Sequence, residues 1–249
     1  MSKNSKKLNP VAILITIILL GSFGIAYYHD GFLNGDGNRG SGIDGARISS
    51  EEILEREVPD YSGDASAVIA NNVPAFKDED LTAESYESYS PLDSLGRCGE
   101  AEACIGQDLM PTEKRGSIGM VKPSGWKTVR YDDLIDGKYL YNRCHLIAFQ
   151  LAGENANEKN LITGTRYMNV KGMLPFEEDV ADYVKETGNH VMYRVTPIFV
   201  KDDLVARGVQ MEAYSVEDKG EGICYNVFCY NVQPGINIDY KTGDNSRIE

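Results

Sequence analysis

The first strong pattern along the chain is an uncharged, apolar run over residues 11–28, which follows Lys3, Lys6 and Lys7. A basic head before such a run is typical of an export signal or a single membrane span. Its eighteen residues lie at the low end of what crosses a bilayer core, roughly 17–25. The lysines predict that the chain beyond residue 28 faces outward. Residues 24–26 (Gly-Ile-Ala) have the form of a cleavage site, so residues 1–30 are predicted to be either a signal peptide or an N-terminal membrane anchor, with the anchor preferred.

Polarity changes sharply after residue 30. Residues 31–47 hold six glycines in seventeen positions, together with Asn, Asp and Ser, a composition that predicts a flexible linker. Residues 48–89 form an acidic N-terminal extension, in which residues 68–70 and 73–76 are candidates for a strand that docks on the rest of the protein. The regular patterns of a folded domain occupy residues 90–249.

Alternating side chains predict a hairpin near the middle of the chain. Residues 126–131 are aromatic and β-branched, as is typical of a strand, and an Asp-Gly pair at 136–137 suits a tight turn. Residues 138–146 then form the second strand. Since side chains alternate along a strand, one face of it collects Tyr139, Tyr141, Arg143 and His145. A cation and a titratable imidazole therefore project together.

Residues 173–187 are predicted to form a helix. Phe176, Val180 and Val184 recur every four positions on one side, and Gly188 is suited to end the helix. Strand patterns follow over residues 190–200, 210–216 and 223–232. The order of hairpin, loop, helix and further strands predicts an α+β fold with an antiparallel sheet rather than a parallel βαβ fold.

The amino-acid composition excludes several classes of protein. Of 249 residues, 42% are hydrophobic and 25% charged, which excludes collagenous, coiled-coil and wholly disordered chains. Twenty-five Lys and Arg against 38 Asp and Glu give a net charge of −13. An acidic protein is poorly suited to coat nucleic acid passively. The charge still permits an enzyme that meets phosphate in a local basic pocket or through a metal.

Five cysteines allow disulfides in an exported protein. Cys98 and Cys104, six positions apart in a glycine-containing loop, are the best candidate pair. The odd total leaves at least one unpaired thiol. The absence of a Cys-x-x-Cys pair argues against a structural zinc knuckle.

Residues 141–147 (YNRCHLI) resemble the Asp-Arg-Gly-His motif of the DNA/RNA non-specific endonucleases, the ββα-metal or His-Me finger nucleases. The Asn-Arg-x-His-Leu-Ile form is similar to that of exported bacterial DNases of the streptodornase type. Residues 160–169 (NLITGTRYMN) and 172–177 (GMLPFE) fit the same family. The resemblance covers about residues 90–240. It implies that residues 90–249 form a ββα-metal nuclease core, with a central antiparallel β-sheet flanked by helices.

The resemblance also implies a role for each matching position. His145 would be the general base that takes a proton from water, and Arg143 would meet phosphate. Asn169 matches the asparagine that binds one Mg²⁺ directly, and Glu177 matches the helix glutamate that holds metal-bound water. This chemistry is sensible in itself, because a divalent ion (Mg²⁺ or Mn²⁺) stabilises charge on phosphate oxygens and a neutral imidazole accepts a proton near pH 7. Mg²⁺ keeps several waters, so few protein ligands suffice.

Two positions depart from the family pattern. Asn142 replaces the motif Asp, so any charge role there is lost, and Cys144 replaces Gly, which restricts the backbone beside the base. Arg115 and Arg166 are candidate substrate contacts, with a plain salt bridge as the alternative for each.

The sequence therefore predicts an exported, metal-dependent endonuclease that hydrolyses DNA, with RNA left open. It would be secreted or held at the extracellular face of the membrane by an uncleaved N-terminal segment, and it shows no sign of a protein partner. Three rivals stay open: a tethered nucleic-acid-binding module without catalysis, a thiol hydrolase that uses Cys144, and a zinc hydrolase. Adjacent strand residues face opposite ways, so Cys144 and His145 cannot pair, and the zinc alternative lacks clustered ligands.

Overall fold

The computed structural model describes residues 50–249, which contain ten strands and three α-helices. The strands are β1 (Ser66–Val68), β2 (Tyr86–Tyr89), β3 (Ala101–Ile105), β4 (Tyr141–His145), β5 (Leu161–Thr165), β6 (Val191–Ile198), β7 (Gly208–Ser215), β8 (Cys224–Tyr230), β9 (Ile236–Ile238) and β10 (Asn245–Arg247). The helices are α1 (Ser50–Arg56), α2 (Phe149–Ala152) and α3 (Leu174–Thr187). A π-helical turn, Met168–Met173, leads directly into α3.

The signal or anchor predicted for residues 1–30 and the linker predicted for residues 31–47 lie outside the described residues. Between residues 50 and 249, no helix combines the length and the apolar character that a membrane span requires. Residues 50–249 belong to one compact unit.

Six antiparallel strands form the central sheet, in the order β1-β8-β7-β6-β3-β2. One face of the sheet packs against α3 and against the separate β4–β5 hairpin, and buried side chains from all of these elements form the main core. The α+β fold with a central antiparallel sheet is therefore confirmed.

Helix α3 agrees closely with the pattern that predicts it. Val180, Ala181 and Val184 lie on one side and are buried in the main core, where each larger side chain contributes roughly 1.5–3 kcal/mol through burial. Pro175 lies in the first turn, directly after the π-helical turn. Gly188 ends the helix in the left-handed conformation, with φ of 75°. The strands predicted over residues 190–232 are also confirmed.

The predicted hairpin is only partly right in its pairing. Strand β4 exists, but its partner is β5, with Cys144 opposite Ile162. Residues 126–131 form no strand, and they pair only briefly with residues 138–140 across the predicted turn, through a bridge between Arg130 and Tyr139 and two main-chain hydrogen bonds. The physical reason is burial, because every residue of β5 is buried whereas Arg130 and Tyr139 are exposed. Apolar packing thus favours the more distant partner.

Residues 50–89 supply part of the sheet. Strand β1 pairs with β8, and β2 pairs with β3. Phe76 lies under the guanidinium of Arg194, with 4.4 Å from Cζ to the ring centre. The segment assigned to an acidic extension therefore covers both edges of the sheet.

The predicted Cys98–Cys104 disulfide is wrong, since all five cysteines are free thiols. The Cys98 thiol donates to the carbonyls of Glu158 and Leu161, and that of Cys104 donates to Thr82. Cys104 lies within β3 whereas Cys98 lies before it, so the two thiols serve different parts of the core.

Candidate active site

A cleft of about 620 Å³ lies between the β4–β5 hairpin and the start of α3. The structure brings to this cleft all six residues that the sequence singles out as functional, namely Arg115, Arg143, His145, Arg166, Asn169 and Glu177. Their roles remain predictions, but their convergence is a property of the fold. Residues separated by more than sixty positions face the same volume.

The β4–β5 hairpin and the helical segment that follows it supply the residues of the cleft. Strand β4 carries Arg143 and His145. Strand β5 leads through Arg166 into the π-helical turn, which carries Asn169, and then into α3, which carries Glu177 in its first turn. Single π-helical turns occur frequently at functional sites. Here the turn allows the asparagine and the glutamate to line one cleft.

His145 is only 6% exposed, and both of its ring nitrogens are engaged. Nε2 lies 2.8 Å from the carbonyl oxygen of Asn155, and Nδ1 lies 3.2 Å from an Nη of Arg115. A guanidinium only donates and a carbonyl only accepts, so the proton is on Nε2 and the lone pair on Nδ1. Burial lowers the pKa of His145 to about 4, Arg115 adds to that effect, and the Asn155 carbonyl opposes it. The imidazole is therefore neutral at pH 7.

Arg143 lies on the cleft wall but is already engaged by its own chain. Its guanidinium donates to the carbonyl of Val121 and, at 2.9 Å, to that of Gly119. Its Cζ lies 4.0 Å from the centre of the Trp126 ring, a stacked cation–π arrangement. No acid within residues 50–249 pairs with it.

For Arg115 and Arg166, the alternative to a substrate contact is a plain salt bridge. Neither side chain forms an ion pair with an acid in the described part of the chain. Arg115 contacts His145 instead, and Arg166 lies beside the tight turn at Gly137. Both guanidinium groups therefore retain donors that an anion can use.

Glu177 is 8% exposed and has no hydrogen-bond or ion-pair partner between residues 50 and 249. Burial, with a smaller contribution from Glu178, raises its pKa to about 8, while Arg115 lowers it. The amide nitrogens of Asn142 and Gln150 line the same cleft and are buried without a hydrogen-bond partner. Buried polar groups usually have a hydrogen-bond partner, so these unpaired amides indicate that a polar ligand binds in the cleft.

The donor set fits a hydrated, hard cation. Asn169 and Glu177 offer amide and carboxylate oxygens, which Mg²⁺ prefers, and the orphaned amides can bond to its waters or to phosphate. Across residues 50–249 no three His, Cys, Asp or Glu side chains are grouped to hold an ion. Because Mg²⁺ keeps several waters, Asn169 and Glu177 would be enough protein ligands to hold it.

Cys144 is fully buried, and burial raises the pKa of its thiol. Both nitrogens of the adjacent His145 are engaged elsewhere, so this thiol lacks the base that a nucleophile needs. Gly164 leaves the room that Cys144 occupies, since a Cβ at Gly164 would lie 2.4 Å from the Cys144 Sγ. The departure from glycine at position 144 is therefore accommodated across the hairpin.

Sequence reasoning missed three contributors to the site. Asn155 acts through its main-chain carbonyl, for which a sequence carries no signal. Trp126 supports Arg143, and Gln150 presents an orphaned amide. Gln150 follows His145 by five positions, and only the fold shows that it faces the cleft.

Comparisons with known proteins agree with this geometry. The sequence model of the DNA/RNA non-specific endonucleases matches residues 75–217. The structure of NucA from Streptococcus agalactiae with a bound magnesium ion shares the fold at 24% identity, with a TM-score of 0.68 over 80% of this chain and 94% of that one. The Sda1 nuclease with a bound zinc ion is 28% identical, with a TM-score of 0.62 over 72% of this chain and 95% of that one. The match spans more than half of the sequence, so the chain belongs to the DNA/RNA non-specific endonuclease family and is an endonuclease of the ββα-metal fold.

Proposed function

We propose that the protein is an exported, metal-dependent endonuclease that hydrolyses phosphodiester bonds of DNA, with His145 as general base and one cation bound by Asn169. The observation that carries the proposal is the shared cleft, in which a neutral imidazole and the Asn169–Glu177 pair line one volume. RNA carries the same phosphodiester groups and is the alternative substrate.

Local charge supports a phosphate-bearing substrate. Residues 50–249 contain 20 Lys and Arg against 35 Asp and Glu, a net charge of −15. The cleft reverses this balance, because three arginines line it against the single carboxyl group of Glu177. A cationic cleft in an acidic protein attracts the nucleic-acid backbone to the site and repels it elsewhere.

In the proposed reaction, Nδ1 of His145 removes a proton from water as the oxygen attacks phosphorus. The bond from phosphorus to the 3′ oxygen breaks, and the leaving oxygen takes a proton from solvent. The carbonyl of Asn155 holds the ring and stabilises the imidazolium that forms, since it accepts a hydrogen bond from Nε2. Arg166 and Arg115 orient the phosphate through charged hydrogen bonds. Glu177 and the unpaired amides of Asn142 and Gln150 form hydrogen bonds to water and phosphate oxygens around the scissile bond. A bound divalent cation supplies Lewis-acid stabilisation of charge on phosphate oxygens and the leaving group. By resemblance to the family, the products carry 5′-phosphates.

Two features of similar proteins support the cation and the location. NucA was solved with magnesium and Sda1 with zinc, and the oxygen donors of this cleft favour Mg²⁺, with Mn²⁺ as the alternative. Two other structures of the same fold are described as an extracellular endonuclease and an extracellular nuclease. Together with the apolar run in residues 1–30, this supports export, either as a secreted or as a membrane-anchored enzyme.

Replacement of His145 tests the base. We expect His145→Ala to abolish plasmid cleavage in Mg²⁺ while the circular-dichroism spectrum stays that of the wild type. His190→Ala is the matched control, because His190 lies outside the cleft and pairs with Glu217. Wild-type cleavage by His145→Ala would reject the base, and a wild-type protein inert with every divalent cation would favour a binding module.

Replacement of Asn169 tests the cation. The half-maximal Mg²⁺ concentration for cleavage should rise at least about tenfold in Asn169→Ala, because an inner ligand is lost. Asn237, which is exposed on β9, provides the matched control Asn237→Ala. An unchanged Mg²⁺ titration would contradict the ligand role.

A further inference from the structure

The segment of residues 112–122 lies over the catalytic cleft between Pro111 and Pro123. It contains neither helix nor strand, and all of its residues except Ile118 and Val121 are exposed. Its single main-chain hydrogen bond within residues 50–249 joins the N–H of Val121 to the carbonyl of Ile118. Backbone ladders therefore do not fix this segment to the fold.

Hydrogen bonds that involve side chains hold the segment instead. Arg115 contacts Nδ1 of His145, the guanidinium of Arg143 donates to two carbonyls of the segment, and the amide of Asn155 reaches the carbonyl of Ser117 at 3.4 Å. Of these residues of β4, His145 is the proposed base and Arg143 is predicted to meet phosphate. The bonds to His145 and Arg143 thus occupy groups that the substrate needs, and only the weaker bond from Asn155 does not.

Open space lies on both sides of the segment. Arg115 and Ile118 face the catalytic cleft, whereas Thr112, Lys114 and Gly116 face a second cavity of about 490 Å³. A segment with open space on both sides can move without disturbing the packed side chains of the core.

We propose that residues 112–122 form a cap that the substrate displaces. In the free protein Arg115 covers the lone pair of the base, and Arg143 is held by the carbonyls of Gly119 and Val121. When nucleic acid enters, both arginines exchange these neutral acceptors for phosphate oxygens, and Nδ1 becomes available to water. This inference rests on the proposed function, because it takes His145 as the base.

The exchange is favourable on chemical grounds. A phosphodiester presents only acceptors, and its negative charge adds a direct attraction to the guanidinium groups that the neutral carbonyls and imidazole do not offer. Binding of phosphate and opening of the cap are consequently coupled, and the coupling is reciprocal. Activation of water thus begins only after a phosphate has arrived.

The cap can be tested without catalysis. The rate at which diethyl pyrocarbonate acylates His145, followed by mass spectrometry of its peptide in EDTA, reports whether Nδ1 is covered. We expect Arg115→Gln to raise this rate about tenfold, since one hydrogen bond to the ring is lost. Lys114→Gln removes the same charge from the neighbouring exposed residue and should leave the rate unchanged. Arg115→Lys, which keeps a donor, should fall between them.

Equal rates for Arg115→Gln and Lys114→Gln would overturn the cap. This result is independent of the proposed function, which is tested by cleavage with His145→Ala.

The exchange at Arg143 can be followed separately, because Trp126 is the sole tryptophan of the chain and lies under that guanidinium. A short DNA oligomer in EDTA should change the Trp126 emission as it binds. Binding seen by anisotropy without any change in emission would overturn the exchange.

Discussion

At the scale of single residues, the site depends on how one imidazole is held. The motif suffices to predict His145, Asn169 and Glu177, because their side chains carry the chemistry and their spacing is visible in the sequence. The tautomer of His145 could not be predicted, since it is fixed by the main-chain carbonyl of Asn155. Any residue at position 155 would present that carbonyl, so the amino-acid type at this position does not reveal the role of its main chain.

The lowered pKa of His145 predicts a pH-dependent stability. The unfolded chain binds a proton at this residue below its ordinary pKa of about 6.5, whereas the folded protein does so only near 4. The unfolded state therefore holds more protons between these values, so stability is complete above pH 6.5 and is lost as pH falls towards 4. The loss amounts to about 3 kcal/mol. Urea unfolding at several pH values, compared with His145→Gln, measures it, and equal pH dependence of the two proteins would refute the prediction.

At the scale of elements, the local hydrophobic period was enough to predict α3 and the strands after it, because each of these elements buries its own apolar face. It failed for the hairpin, because β4 pairs with a strand sixteen or more positions away rather than with the nearer segment. Pairing depends on which partner buries more surface, and that comparison requires the whole fold. The π-helical turn before α3 was likewise missed, since an α-helical period does not reveal one extra residue in a turn.

The β4–β5 hairpin offers a test of this packing. Gly164→Ala would place a Cβ 2.4 Å from the Sγ of Cys144 and 2.6 Å from the Cε of Met168. We expect a loss of about 1–3 kcal/mol of stability, as is usual for overpacking. The double variant Gly164→Ala/Cys144→Ala should recover part of that loss, because the sulfur is gone. Chemical denaturation of the four proteins of the cycle gives the coupling, and additive effects would exclude the contact.

At the scale of the whole molecule, an acidic surface surrounds a cleft with three arginines. The net charge was visible in the sequence, but its reversal within the cleft was not, because the three arginines come from separate segments. Affinity for DNA should therefore depend on few phosphate contacts.

Salt dependence tests this arrangement. Three phosphate contacts predict a slope of log K against log salt of about −2.7 for duplex DNA in EDTA. Arg166→Gln should make the slope smaller in magnitude by about 1, whereas Lys241→Gln, an exposed lysine outside the cleft, should not change it. Anisotropy of a labelled duplex across a salt series measures both, and equal slopes for the two variants would exclude a phosphate contact at Arg166.

The short strands β1 and β2 have a consequence for fragments of this protein. Each satisfies the outer backbone groups of a longer neighbour, β8 or β3, which would otherwise present an open edge to other molecules. The family match begins at residue 75, after β1. A recombinant product trimmed to that boundary would expose β8 as a template for intermolecular pairing and should aggregate, whereas one that begins near residue 48 would remain monodisperse.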